Sequence, residues 1–95
     1  MERKQKEKMN WQGLEKHSIS LKLPLLIIKG SKGILACGYL NVETFIKTGE
    51  VAAIVTGVKS FEDMLNAKVV KVSAAAEQAG LKVGMAGAEV IDLIR

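Results

Sequence analysis

Among the side chains able to do covalent or acid–base chemistry, Cys37 stands out for its surroundings. It precedes Gly38 within the apolar run Ile34 to Leu40 (ILACGYL), which reads as a strand covered on both faces. Ligands bind beyond the C-terminal ends of strands in open sheets, and a glycine there lets a ligand or another backbone come close. The thiol has two readings. It is a small hydrophobe packed in the core, as free cysteines commonly are, or it is a nucleophile or redox thiol, which needs a base and a setting that stabilises the thiolate. The one histidine, His17, falls at the start of a strand, where a surface position is expected and a Cys37–His17 dyad is not.

A second element is Gly84-Met85-Ala86-Gly87, directly before the last helical segment. Glycine-rich turns that feed a helix expose backbone N–H groups beside the positive end of its dipole, and such places hold anions. Lys82, if turned inward, would strengthen that use. A tight connection between two helices explains the same glycines, and Met85 reads as core or interface filler. The candidate ligand-binding residues are therefore Cys37, Gly38, Lys82, Gly84, Met85 and Gly87. A structural zinc site needs about four Cys or His ligands, whereas this chain offers only Cys37 and His17. Glu62-Asp63 and Glu89 with Asp92 lie on polar helix faces as solvated charges. No metal and no cofactor is expected. The run Thr56-Gly57-Val58-Lys59-Ser60 has the residue types of a phosphate loop without its spacing.

The elements that must position these residues follow from period and punctuation. Met1 to Lys8 reads as a flexible basic leader and residues 9–95 as one compact domain. Ser18 to Leu23 alternates, with Ile19, Leu21 and Leu23 on one side, as a half-buried strand does, and Gly13 is placed to turn a hairpin with Asn10-Trp11. Pro24 marks an edge or bulge. Leu25 to Lys29 is the next strand, Gly30 to Gly33 a turn, and Ile34 to Leu40 the covered strand. Asn41 caps a helix stapled by Leu40 and Phe45 and closed by Gly49. Val51 to Val55 is a strand. Ser60 caps a short helix, Phe61 to Leu65, with Asn66 taking a left-handed exit. Lys68 to Val72 is a strand, and Ser73 caps an alanine-rich helix that stops at Gly80 with Leu81 packed beneath it. A final helix ends at Arg95. The fold class is α+β, a single mixed sheet of about five to six strands with three to four short helices packed on it.

Composition bounds the rest. The chain has 95 residues, 48% of them hydrophobic but only 4% aromatic. That is more aliphatic surface than so small an interior hides, and the excess predicts a homo-oligomer. One cysteine, no long apolar run and no signal-like segment predict a cytoplasmic protein with no membrane span. The net charge of +4 is concentrated in the first third, where basic residues outnumber acidic ones. A nucleic-acid footprint needs basic groups on a structured face with aromatic platforms. Only Trp11 lies near these charges, so a solvating segment is expected in place of a nucleic-acid arm.

The succession Lys22-Leu23-Pro24, Gly33-Ile34-Leu35-Ala36-Cys37-Gly38-Tyr39-Leu40-Asn41-Val42, Thr56-Gly57-Val58 and Ala75 through Gly87 resembles the YunC-like family of uncharacterised bacterial and archaeal domains. The resemblance covers about residues 18–95. Its most specific pieces are the Cys37-Gly38 step and the Lys82-Val83-Gly84-Met85-Ala86-Gly87 stretch. It implies a compact α+β domain and no catalytic role for any residue, because no function is assigned to the family. Three functions stay open at this level. The chain is a small oligomeric domain binding a small anionic or polar ligand or a partner protein, an enzyme using Cys37, or a nucleic-acid binder through its leader.

Overall fold

The computed structural model describes residues 10–95, so the basic leader expected over 1–8 lies outside the described residues. One five-stranded sheet runs in the order β1 (Glu15–Ile19), β2 (Leu25–Lys29), β3 (Ile34–Cys37), β4 (Ala52–Val55) and β5 (Lys71–Val72). Only β3 and β4 are parallel, with Ile34 opposite Ala52 and Cys37 opposite Val55; the other three pairings are antiparallel. Among the described residues four helices complete the fold: α1 (Val42–Thr48), α2 (Phe61–Asn66), α3 (Ala74–Gln78) and α4 (Gly87–Ile94). It is a single mixed sheet in an α+β fold.

The two faces of the sheet are used unequally. Leu26, Ile28, Leu35, Cys37, Ala53 and Val55 alternate onto the inner face. There they meet Met64 of α2, Ala76 of α3, and Val90, Ile91 and Ile94 of α4 in the main core. Ile27, Ile34, Ala36 and Ile54 point the other way and are covered by α1 through Val42 and Phe45. The crossover from β3 to β4 therefore lies on the outer face, while the connection from β4 to β5 lies on the inner one.

Most helix ends follow the sequence. Asn41 accepts the Glu43 N–H at 2.9 Å, Ser60 accepts that of Asp63 at 3.0 Å, and Ser73 accepts that of Ala76 at 3.2 Å. Gly49 and Gly80 take positive φ, and the Leu81 N–H returns to the Ala76 carbonyl at 2.9 Å. Ser73 is fully buried; its hydroxyl also accepts the Ala52 N–H and donates to the Glu50 carbonyl. That chain of bonds joins the start of β4 to the start of α3.

The strands differ more from expectation. The first strand is Glu15–Ile19, not Ser18 to Leu23, and all of it is exposed. It is the sheet's edge, so its extent is set by pairing with Leu25–Lys29 and not by its own alternation. Leu21 and Leu23 lie beyond it in a bend, half exposed. Asn10-Trp11 forms no strand. The Leu14 N–H bonds the Trp11 carbonyl at 3.0 Å, and Gly13, at φ +83°, shapes that turn into β1. Likewise β3 stops at Cys37, because the Leu40 N–H folds back to the Cys37 carbonyl at 3.1 Å. The last strand keeps only Lys71–Val72, and Lys68 instead bridges to Ala86. Asn66 does not adopt positive φ; the exit from α2 runs through an extended Ala67.

Candidate functional site

Adjacent parallel strands whose following connections leave to opposite faces open a crevice between those connections. β3 and β4 are such a pair. After Cys37 the chain turns toward α1 on the outer face, and after Val55 it turns toward α2 on the inner one. A cavity of about 390 Å³ sits in the gap, a size suited to a small ligand. Cys37, Gly38 and Tyr39 border it from the β3 side, and Thr56, Gly57, Val58 and Lys59 from the β4 side. Leu23 and Pro24 complete the wall. The Tyr39 hydroxyl accepts the Leu23 N–H at 3.2 Å, which ties this wall to the turn after β3.

Each residue is placed by a local cause. Cys37 is the last inner-face residue of β3; its Sγ accepts the Leu26 N–H at 3.3 Å and lies 4.0 Å from the Pro24 carbonyl oxygen. Gly38 carries the turn, and a Cβ there would stand 3.1 Å from the Thr56 Cγ2. Gly57 takes φ +72°, which starts the departure toward α2. Lys59 is held at the backbone, where its N–H donates to Asp63 Oδ2 at 3.0 Å, leaving the ammonium group exposed. Among the described residues the lining is mostly apolar, with a thiol, two hydroxyls and one cation but no carboxylate and no imidazole.

His17 is not a partner for the thiol. It lies opposite Ile27, hence on the outer face, whereas Cys37 is on the inner one. Its Nε2 is instead 3.1 Å from Glu15 Oε1. The hydrogen bond from His17, helped by the Lys29 charge, holds the Glu15 carboxyl below its ordinary range.

The second glycine stretch is built differently. Gly84 donates its N–H to the Val69 carbonyl at 2.8 Å, and Gly87 donates to that of Ala67 at 2.8 Å. The Lys82 N–H bonds Met85 Sδ at 3.1 Å, and the Met85 N–H returns to the Lys82 carbonyl. Glu89 reaches back to the Ala86 N–H at 3.0 Å, so a carboxylate of the chain already occupies the start of α4. Gly87 is buried against α2, where a Cβ would collide with the carbonyl group of Met64. The donors that an anion would use are thus engaged internally, and Lys82, Gly84, Met85 and Gly87 do not line the cavity that holds Cys37 and Gly38.

Of the residues lining this crevice, the sequence singled out Cys37 and Gly38, passed over Tyr39, and set aside the Thr56-Gly57-Val58-Lys59 run as a phosphate loop of the wrong spacing. A usable signal was present. Each strand of the parallel pair is followed closely by a glycine, and the Thr56-Gly57-Val58-Lys59 run fails only as a nucleotide loop. Trp11 is no free stacking platform, since the Lys16 Nζ lies 4.3 Å from its ring centre and Phe61 meets it edge-on at 6.3 Å. Among the described residues no group of side chains could hold a metal ion, and no helix is long and apolar enough to cross a membrane.

Fold and crevice together define a small α+β domain with a ligand-sized gap at a strand-end switch point. The chain belongs to the family described as domain of unknown function DUF1805, which it matches over residues 36–94. It is 33% identical over 81 residues to the uncharacterised protein YunC of Bacillus subtilis (strain 168), covering 78% of this chain and 80% of that one. The crystal structure of a protein of unknown function, TA1206 from Thermoplasma acidophilum, superposes with a TM-score of 0.76 at 40% identity, covering 92% of this chain and all of the other. These relatives carry no assigned activity.

Proposed function

We propose that this domain binds a small molecule with an apolar body and an anionic group in the crevice at the C-terminal ends of β3 and β4. One observation carries the reading: the chain leaves the two parallel strands in opposite directions, and a cavity of about 390 Å³ lies between the departures. Leu23, Pro24 and Val58 offer apolar contact, and Lys59 supplies the only charge on its walls among the described residues. The Cys37 thiol is a wall of this site; among the described residues its lining offers no imidazole or carboxylate to take the thiol proton. Calorimetry with octanoate tests the reading, together with amide shifts in solution NMR. Binding should move the Gly38 and Gly57 amides, and Lys59→Met should weaken it about tenfold, the scale of one charge-assisted contact. Absence of any shift at these amides at millimolar octanoate would remove the proposal.

We also propose that copies of the chain associate, in the cytoplasm. Ile19 at the end of the edge strand β1, and Leu21 and Leu23 in the bend beyond it, are 55%, 50% and 55% exposed, and one free cysteine suits a reducing compartment. Sedimentation at micromolar concentration should give a species larger than the 10.3 kDa chain. A monomer would refute association, and cell fractionation checks the compartment.

A further inference from the structure

The crevice does not end at the inner face. A second cavity of about 350 Å³ opens on the outer side of the same strand ends, bordered by Asn41, Val42, Ile54 and Lys71. Gly38, Tyr39 and Thr56 border both cavities. The partition between them is therefore the backbone of the two strand ends with the side chains of Tyr39 and Thr56, and position 38 adds no side chain to it. The two chambers also share an electrostatic plan. Among the described residues each has one lysine, Lys59 in the inner and Lys71 in the outer, and neither lining contains a carboxylate. Both ammonium groups belong to exposed residues. Two exposed cations, one on each side of a low ridge formed by Gly38, Tyr39 and Thr56, attract an anion at each end, and the mostly apolar inner chamber suits a hydrocarbon stretch between them.

We propose that the two cavities form one site, and that it takes an elongated dianion with an apolar middle, of the dicarboxylate class, lying across Gly38 with one end at Lys59 and the other at Lys71. This rests on the reading of the inner cavity as a ligand site and adds the second anionic end. Both anionic ends are met by flexible, hydrated lysines and not by a rigid fork, so recognition depends on the spacing of the charges and not on their shape.

The test compares suberate, anionic at both ends, with octanoate, which has the same carbon count and one anionic end, by calorimetry at low ionic strength. Succinate, adipate and sebacate bracket the span. Suberate or a neighbour in that series should bind about tenfold more tightly than octanoate. Lys71→Met should abolish that advantage without changing octanoate affinity, while Lys59→Met should weaken both probes about tenfold. If Lys59→Met weakens both and Lys71→Met changes neither, the second chamber is not part of the site, and the inner-cavity reading survives alone. If none of the dicarboxylates and not octanoate binds at millimolar concentration, both proposals fail. The thermal midpoint of each variant serves as the folding control, since both lysines are exposed.

Discussion

Two glycine-bearing stretches, Cys37-Gly38 and Gly84 to Gly87, look alike in the sequence and do opposite things in the fold. At Gly38, on the border of a cavity, the missing side chain leaves room that is crowded only by the movable γ-methyl of Thr56. At Gly87 the missing side chain makes space that the α2 backbone fills, with the Met64 carbonyl where a Cβ would be. The backbone donors follow the same division. Around Gly84 to Gly87 the N–H groups bond to Val69, Ala67 and Glu89. A glycine near an element end reports that something comes close; whether that is a ligand or the chain itself depends on what tertiary packing puts there.

Alanine at each glycine separates these roles, and the largest effect belongs to Gly87→Ala. Its new methyl meets backbone atoms of Met64 and Leu65, which cannot rotate away. Overpacking of this kind costs about 3 kcal/mol, which for a domain of this size lowers the thermal midpoint by roughly 12–24 °C. A midpoint near wild type would mean that α2 and α4 slide apart freely, and the contrast would collapse. Gly84→Ala comes next. Its Cβ would meet nothing within 4 Å, but φ is +96°, so only backbone strain is added, about 1–2 kcal/mol by urea titration. A loss as large as that at Gly87 would show that the stretch is packed throughout. Gly38→Ala is milder, because its methyl meets the movable γ-methyl of Thr56. A stability change below about 1 kcal/mol is expected, while suberate binding drops several-fold. Unchanged binding would make Gly38 a turn residue and nothing more.

The smallest effect is assigned to the exposed edge. Glu15 has its carboxyl pKa lowered by the hydrogen bond from His17 and by Lys29. A depressed carboxyl contributes stability above its unfolded pKa and loses it as pH falls through the folded one. With full exposure, solvent screens that contribution. Glu15→Gln should therefore leave the urea midpoint at neutral pH unmoved and slightly flatten its fall in acid. A clear loss at neutral pH would show that β1 is buried in the working assembly, and would support association through that edge.

What the sequence disclosed divides along similar lines. Asn41, Ser60 and Ser73 were legible as caps and Gly49 and Gly80 as stops, because capping is settled within one helical turn. The apolar strands β2, β3 and β4 were legible from their runs. β1 was misplaced because an edge strand has one partner to define it, and the alternation of Ile19, Leu21 and Leu23 continued past the last paired residue. The site was half legible for a related reason. Cys37 and Gly38 are neighbours in the chain, whereas Lys59 borders them only because β3 and β4 send their connections to different faces, and Leu23 is brought in from the β1–β2 connection, where its N–H meets the Tyr39 hydroxyl. No local pattern encodes that divergence.

The spatial order of the strands repeats their order along the chain. As a polypeptide leaves the ribosome from its N-terminal side, every strand after β1 finds its partner already made, and the sheet can grow like a fence, one picket at a time. The α4 helix, which closes the inner face by packing on α2 and β3, is synthesised after all five strands. Until it docks, a nascent sheet would show its greasiest side to the cell, and that interval is when a chaperone would have something to hold.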